Sequence, residues 1–330
     1  MKITVLGDGG WGTALAMLLV GNGHAVTQWG PFADYLDEMA RTRANPRFLP
    51  GIPLPAGLRL TPDMAAAVEG AELVVLAAPV PYMRPMLVKL AGTGAAARAV
   101  LVNVAKGIEV GTHRRPQEIG RELLGPTAWA TLSGPSHAEE VARGIPTAVV
   151  SAADDEAVAR TVQAAFMGAF FRVYTATDVV GVELGGALKN IFAVAAGICD
   201  GMGFGDNSKA ALMTRGIAEM ARLGEALGGC AQTFAGLSGV GDLIVTCISR
   251  HSRNRHVGEE LGRGATLPQI QKAMGLSVAE GVKTTLSAYE LACQAGVSAP
   301  IIHEVHAALY EGKDPRQAAR DLMTRAAKPE

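Results

Sequence analysis

The spacing of apolar positions divides the chain into two halves of different character. "KITVL" at Lys2–Leu6 is a short apolar run that predicts a buried strand. "WGTALAMLLVGN" follows with helical character, and Gly23 supplies a helix stop. "AVTQW" at Ala25–Trp29 predicts the next strand and completes a strand–helix–strand unit of crossover length. Short apolar runs recur as "ELVVLAA" around Leu73, "RAVLVNVA" around Val100, "AWATLS" around Thr131, "TAVVSA" around Val149 and "FFRVY" at 170–174. Their alternation with helical and loop segments predicts an α/β fold, a doubly wound and largely parallel sheet with helices on both faces.

Beyond about Asp178 the alternation stops. "DVVGVELGGALKNIFAVAAGICDGMG" has no strand-like period and is long enough for a buried helix. Residues 208–227, 252–261, 280–295, 300–310 and 315–325 predict further helices, with Pro300 and Pro315 where helix starts tolerate proline. The expected division is an α/β domain at 1–178 and an all-helical domain at 179–330. One helix joins them near 175–188.

Composition narrows the partners. Apolar residues make up 49% and aromatics 5%, so the cores should be aliphatic. The net charge of −1 and the lack of a basic run interleaved with aromatics argue against nucleic acid. Apolar runs such as "LVVLAAPV" fall short of the ~20 residues that span a bilayer, so membrane insertion is not expected. The chain opens on a strand without an export signal, and a cytoplasmic location is the expectation. Cys199, Cys230, Cys247 and Cys293 show no metal-ligand spacing and read as reduced, mostly buried thiols. The seven histidines form no H-E-x-x-H pattern, so no metal is expected.

Candidate chemistry begins at "GDGGWG". Gly7, Gly9 and Gly12 fit G-x-G-x-x-G between a strand and a helix. Gly7 allows the tight turn, Gly9 admits a pyrophosphate to the backbone, and Gly12 lets the helix pack on the sheet. The free N–H groups of the helix start favour the anion. Trp11 reads either as a cap on the core or as a surface for the bound cofactor. The acid expected about 20 residues later is missing: Trp29-Gly30-Pro31-Phe32 offers neither a carboxylate for a ribose hydroxyl nor an arginine for a 2′-phosphate.

Other candidates sit beyond strand ends. Lys106 in "NVAKG" and Ser136 in "SGPSHAEE" stand where ligands of open α/β sheets bind; the alternative for Lys106 is an ordinary surface lysine, and a helix cap by Ser136 is compatible with ligand binding. Gly134-Pro135 makes a rigid turn. In "GVELGGALKNIFAVAAG" the paired glycines cost ~2 kcal/mol in a helix, which implies a close neighbour. Lys189 stands there among apolar residues, and desolvation would bring its ammonium toward proton-transfer use. Asp242 lies in the apolar "GVGDLIVT". "SRHSRNRHVG" gathers Arg250, Ser252, Arg253, Asn254 and Arg255 at a helix start, a good phosphate receptor.

Together "GDGGWGTALA", "NPRFLPGIPLP", "NVAKGIE", "SGPSHAEEVARGIPTA", "FRVYTATDVVGVELGGALKNIFAVAAGICDGMGFGDNSKAALMTRGIAEM", "GLSGVGDLIVTCISRHSRNRHVG" and "VAEGVKT" resemble bacterial-type glycerol-3-phosphate dehydrogenase over nearly the full length. The resemblance implies a Rossmann domain followed by an all-helical substrate domain. It implies reversible reduction of dihydroxyacetone phosphate to sn-glycerol 3-phosphate by NAD(P)H, which starts phospholipid synthesis, and a homodimer. It makes Lys189 the general acid and base. Lys106, Gly134, Ser136, Asp242, Ser252, Arg253 and Asn254 then line the substrate with Lys189. Gly10, Trp11, Lys106, Ala138, Arg253, Val278 and Glu280 touch the cofactor beside Gly7, Gly9 and Gly12. Two positions depart from the family pattern: Gly10 stands for a usual serine, and Pro31 for a frequent basic residue, which argues against strong NADPH preference.

Two rivals remain on the residues alone. One is another two-domain dehydrogenase of the 3-hydroxyacid or 6-phosphogluconate type, which also uses a helix lysine followed by asparagine. The other is a non-catalytic dinucleotide-binding redox sensor, which would not need Lys189, Asp242 and the phosphate cluster together.

Overall fold

The computed structural model describes residues 1–275, 278–327 and 329. Its contacts divide the chain into two units. The first comprises Met1–Lys106 and Arg114–Val182, the second Gly107–His113 and Glu183–Glu330.

The first unit opens with β1 (Lys2–Leu6), α1 (Gly10–Gly21) and β2 (Ala25–Trp29). Next come α2 (Ala33–Thr42), β3 (Ala44–Asn45), β4 (Leu49–Pro53), β5 (Arg59–Thr61) and α3 (Met64–Val68). β6 (Leu73–Leu76), α4 (Val80–Ala91), β7 (Val100–Asn103), α5 (Pro116–Leu124) and β8 (Trp129–Ser133) continue the alternation. α6 (Ala138–Val141), β9 (Thr147–Ala152), α7 (Glu156–Phe166) and β10 (Phe171–Ala176) complete it.

Eight strands form one sheet in the order β10-β9-β8-β7-β6-β1-β2-β5. Every pairing is parallel except β8 with β9. Helices cover both faces, which explains why "LVVL" is apolar without alternation. Leu73 and Val75 join Ile3, Val5, Leu15 and Leu19 in one core layer, while Val74 and Leu76 join Leu6, Leu87 and Leu90 in the other. β1 lies between β2 and β6, so strand order reverses there, and the crevice beyond their carboxyl ends is the usual ligand position. β3 to β5 have no signal in the sequence. They are short and lie in a stretch of prolines and glycines that reads as loop.

α8 (Val179–Gly201) starts in the first unit and continues into the second. It is 23 residues long and apolar enough to cross a bilayer, which corrects the view that every apolar run is too short; 94% of its most apolar window is buried, as in a core helix. α9 (Asp206–Ala226), α10 (Ala231–Phe234), a π turn at Leu237–Gly241 and α11 (Asp242–Ile248) follow. α12 (Arg253–Gly262), α13 (Leu267–Met274), α14 (Glu280–Gln294), α15 (Pro300–Tyr310) and α16 (Pro315–Met323) complete the unit. The glycines of α8 do admit neighbours. A Cβ at Gly185 would stand 2.8 Å from the Ser238 carbonyl oxygen, and one at Gly197 or Gly201 would strike the backbone of α12. Residues 107–113 belong to this unit through Ser287, whose hydroxyl donates to the Glu109 carbonyl at 3.1 Å. Of the cysteines only Cys247 is buried; Cys199 is intermediate and Cys230 and Cys293 are exposed, which corrects the expectation of mostly buried thiols.

Candidate active site

In the first unit the glycine loop joins β1 to α1. Gly7 has φ 131°, and a Cβ there would stand 2.8 Å from the Ala77 carbonyl oxygen just beyond β6. Only glycine satisfies both demands. A Cβ at Gly12 would meet the Gly7 carbonyl oxygen at 2.5 Å, and one at Gly10 would collide with the Phe48 carbonyl, so the departure from serine at Gly10 follows from packing. Gly9 has open space where a side chain would stand. It caps α1 without a side-chain hydrogen bond, and the first turn of α1 holds no acid. Trp11 is half-buried, packs on the core, and has no hydrogen-bond partner for its Nε1 among the described residues. An uncapped helix start, an open glycine and no nearby first-turn carboxylate fit an anionic dinucleotide.

Sequence reasoning missed the polar clamp that holds this loop. Gln28 Nε2 donates to the Gly7 carbonyl at 2.9 Å and to Thr13 Oγ1 at 3.0 Å. Asn45 Nδ2 donates to the Asp8 carbonyl and to Thr13 Oγ1, both at 2.8 Å. Asn45 Oδ1 accepts from the Tyr35 hydroxyl at 2.5 Å and from the Phe48 amide at 3.1 Å. The "NPRFLPG" stretch thus braces the loop. The available signal was a glutamine inside an apolar strand.

Two further ends of the sheet supply donors. Asn103 closes the turn after β7 by accepting from the Ala105 amide at 3.0 Å. Lys106 Nζ donates to the Gly134 carbonyl at 2.9 Å, and Ser136 Oγ donates to the same oxygen at 2.8 Å. Lys106, Gly134 and Ser136 therefore meet. Ala138 begins α6, with its Cβ 3.8 Å from where a Gly10 Cβ would stand.

In the second unit Lys189 lies on α8. Its Nζ donates to Asp242 Oδ1 at 2.8 Å and to Thr246 Oγ1 at 2.6 Å. The Lys189 and Asp242 side chains are 7% and 2% exposed. Thr246 in turn donates to the Asp242 carbonyl at 2.6 Å. The expectation of purely apolar surroundings for Lys189 is thereby corrected. Burial disfavours its charge, whereas the Asp242 carboxylate favours it. Thr246 was overlooked, although its i+4 spacing from Asp242 places both on one face of α11.

The phosphate cluster separates by role. Ser252 caps α12, accepting from the Arg255 amide at 3.1 Å. Asn254 is buried, donates to Asn190 Oδ1 at 2.8 Å and accepts from the Gly281 amide at 2.9 Å. It ties α8, α12 and α14 together, so its side chain is structural to a degree the sequence did not indicate. Arg255 pairs with Asp200 at 2.6 Å. Arg250 and Arg253 are exposed, and Arg253 is the first residue of α12. Val278 is half-buried just before α14, and Glu280 begins that helix. Burial pushes the Cys247 thiol to about 12 and the Cys199 thiol to about 11, so neither supplies a thiolate near neutrality. Among the described residues no group of three His, Cys, Asp or Glu is placed to hold a metal ion.

Two family models match. NAD-dependent glycerol-3-phosphate dehydrogenase N-terminus covers residues 2–159, and the C-terminus model of the same name covers residues 178–320. A glycerol-3-phosphate dehydrogenase, NAD(P)+, from Prosthecochloris aestuarii is 49% identical over the whole of both chains. One from a Geobacter species is 51% identical, over all of this chain and 98% of the other. The crystal structure of glycerol-3-phosphate dehydrogenase from Coxiella burnetii superposes with a TM-score of 0.94 at 38% identity, covering 98% of this chain and 99% of that one. The chain belongs to the NAD-dependent glycerol-3-phosphate dehydrogenase family.

Proposed function

We propose that the chain reversibly reduces dihydroxyacetone phosphate to sn-glycerol 3-phosphate with NAD(P)H. The observation that carries this reading is the buried Lys189 ammonium, hydrogen-bonded to Asp242 and Thr246, in a chain whose relatives bear that activity in their names.

The glycine loop and the start of α1 would hold the dinucleotide pyrophosphate, with Trp11 and Ala138 beside it. When bound, the reduced nicotinamide supplies a hydride to the carbonyl carbon. Lys189 Nζ donates a proton to the substrate oxygen as negative charge gathers there, and takes it back in the reverse direction. Asp242 and Thr246 orient the ammonium and limit its freedom before reaction. Arg253 holds the phosphate by a charge-assisted contact. Lys106, Gly134, Ser136, Ser252 and Asn254 line the substrate, while Gly10, Val278 and Glu280 contact the cofactor. This assignment rests on the family motifs, which this sequence matches except at Gly10, where glycine stands for the usual serine. We further infer a dinucleotide-binding domain near 1–178, a substrate domain near 179–330, a cytoplasmic homodimer, and a product that feeds glycerophospholipid synthesis. The full-length likeness to the relatives supports these readings.

The test is a panel of dihydroxyacetone phosphate, unphosphorylated dihydroxyacetone and a 3-oxoacid, each with NADH and NADPH. Cofactor oxidation with dihydroxyacetone phosphate alone, giving the sn-3 product, is the expected result. Turnover of the 3-oxoacid in its place would move the chain to another dehydrogenase class.

A further inference from the structure

The chain has no acid at the end of β2, yet a carboxylate stands there. Leu6 pairs with Trp29 in the sheet, and the Gly7 amide donates to the Trp29 carbonyl at 2.9 Å. Gly7 follows β1 and Gly30 follows β2, and Asp8 is the residue after Gly7. A Cβ at Gly30 would lie 2.5 Å from Asp8 Oδ2 and 2.7 Å from its Cγ. The Asp8 carboxyl therefore fills the volume that a side chain at the end of β2 would occupy. It is 9% exposed, and Oδ2 has no hydrogen-bond partner among the described residues. Its backbone is held by Asn45, and the preceding Gly7 by Gln28.

A buried carboxyl oxygen without a donor destabilises the fold. Burial raises its protonation range, although its own backbone N–H and the Arg47 guanidinium lower it. Oδ2 is left without a partner among the described residues, and the group lies where dinucleotide folds place their ribose acceptor.

We propose that Asp8 is the cofactor-specificity residue of this chain, accepting from the adenosine ribose hydroxyls of NADH and repelling the 2′-phosphate of NADPH. The acid has moved from the second strand to the glycine loop, and Gly30 makes room for it. This inference rests on the dehydrogenase reading above and names the determinant that the sequence around Trp29 lacks.

The experiment is equilibrium binding of NADH and NADPH, followed by nucleotide fluorescence at one ionic strength, with no substrate present. The intact chain should bind NADH at least ~10-fold tighter than NADPH, the discrimination expected of one charge-assisted contact. Asp8→Asn removes the charge at nearly constant shape and should reduce that ratio at least ~10-fold. Gly30→Ala keeps the charge but displaces the carboxyl, and it should weaken NADH binding in a chain whose Asp8 is intact. An unchanged ratio in folded Asp8→Asn, with NADH still bound, overturns the proposal alone. Tighter NADPH binding by the intact chain also overturns it and transfers the role to Arg47, which is exposed and stacks 4.1 Å over the Tyr35 ring. Failure of the intact chain to bind either nucleotide would instead remove the dehydrogenase reading, and this inference with it.

Discussion

Lys189 on α8 and Asp242 at the first position of α11 form an ion pair at 2.8 Å, with both side chains more than nine-tenths buried. Removing one partner of such a pair strands the other charge away from water. Asp242→Ala should therefore lower unfolding free energy by about 3–5 kcal/mol, read from chemical denaturation. Asp242→Asn retains an acceptor for Nζ and should recover part of the loss. A loss for Asp242→Ala below about 1 kcal/mol, typical of an exposed pair, would contradict this account of the pair.

Arg253 is the exposed cation at the start of α12, whereas Arg255 is tied to Asp200. Arg253→Ala should raise the KM for dihydroxyacetone phosphate by about 10- to 100-fold, the range of one charged contact. Unphosphorylated dihydroxyacetone should be much less affected. Equal loss for both substrates would deny the residue its phosphate role; nucleotide binding is titrated separately, because the residue is also assigned to the cofactor.

The Asn45 side chain ties the glycine loop to β3 through two side-chain hydroxyls and two backbone groups. These are the Thr13 and Tyr35 hydroxyls, the Asp8 carbonyl and the Phe48 amide. Asn45→Ala leaves several of these groups unpaired and should cost roughly 1–3 kcal/mol of stability. It should also weaken nucleotide binding while leaving kcat at saturating cofactor near its original value. A fall in kcat with unchanged nucleotide affinity would argue against a clamp on the loop.

Glu219 on α9 accepts from the amides of Ile301 and Ile302 at 3.1 and 2.8 Å. Burial pushes its carboxyl up to about 7 from 4.5, although both amides lower it. The folded state therefore holds this proton to higher pH than the unfolded state does. Its contribution to stability is greatest below about pH 4.5 and declines as pH rises toward about 7, by up to a few kcal/mol. Glu219→Gln cannot ionise, so the stability difference between the intact chain and this variant should shift across that window. Denaturant unfolding at several pH values reads it, and a constant difference would show that Glu219 titrates normally.

The first strand–helix–strand unit, α15 and α16 were legible because the apolar period agrees with a helix stop at Gly23 and with helix starts at Pro300 and Pro315. β3 to β5 and α13 were not, being short and set by tertiary packing. At the site, Lys189 and Asp242 stood out as charges in apolar runs, and the structure joins them. Thr246, Gln28 and Asn45 did not stand out, because uncharged polar residues reveal their partners only after folding. Asp8 was hidden for a topological reason: the carboxyl that fills the space beside Gly30 at the end of β2 comes from the loop after β1.

Proton transfer by Lys189 is read from the rate of reduced-nicotinamide loss with dihydroxyacetone phosphate, measured for the intact chain and for Lys189→Met. Turnover by the intact chain and a fall in kcat of at least ~100-fold in the variant, with NADH binding preserved, are the expected results. Near-normal kcat in Lys189→Met would contradict that role, as would an intact chain that binds NADH and leaves dihydroxyacetone phosphate unreduced.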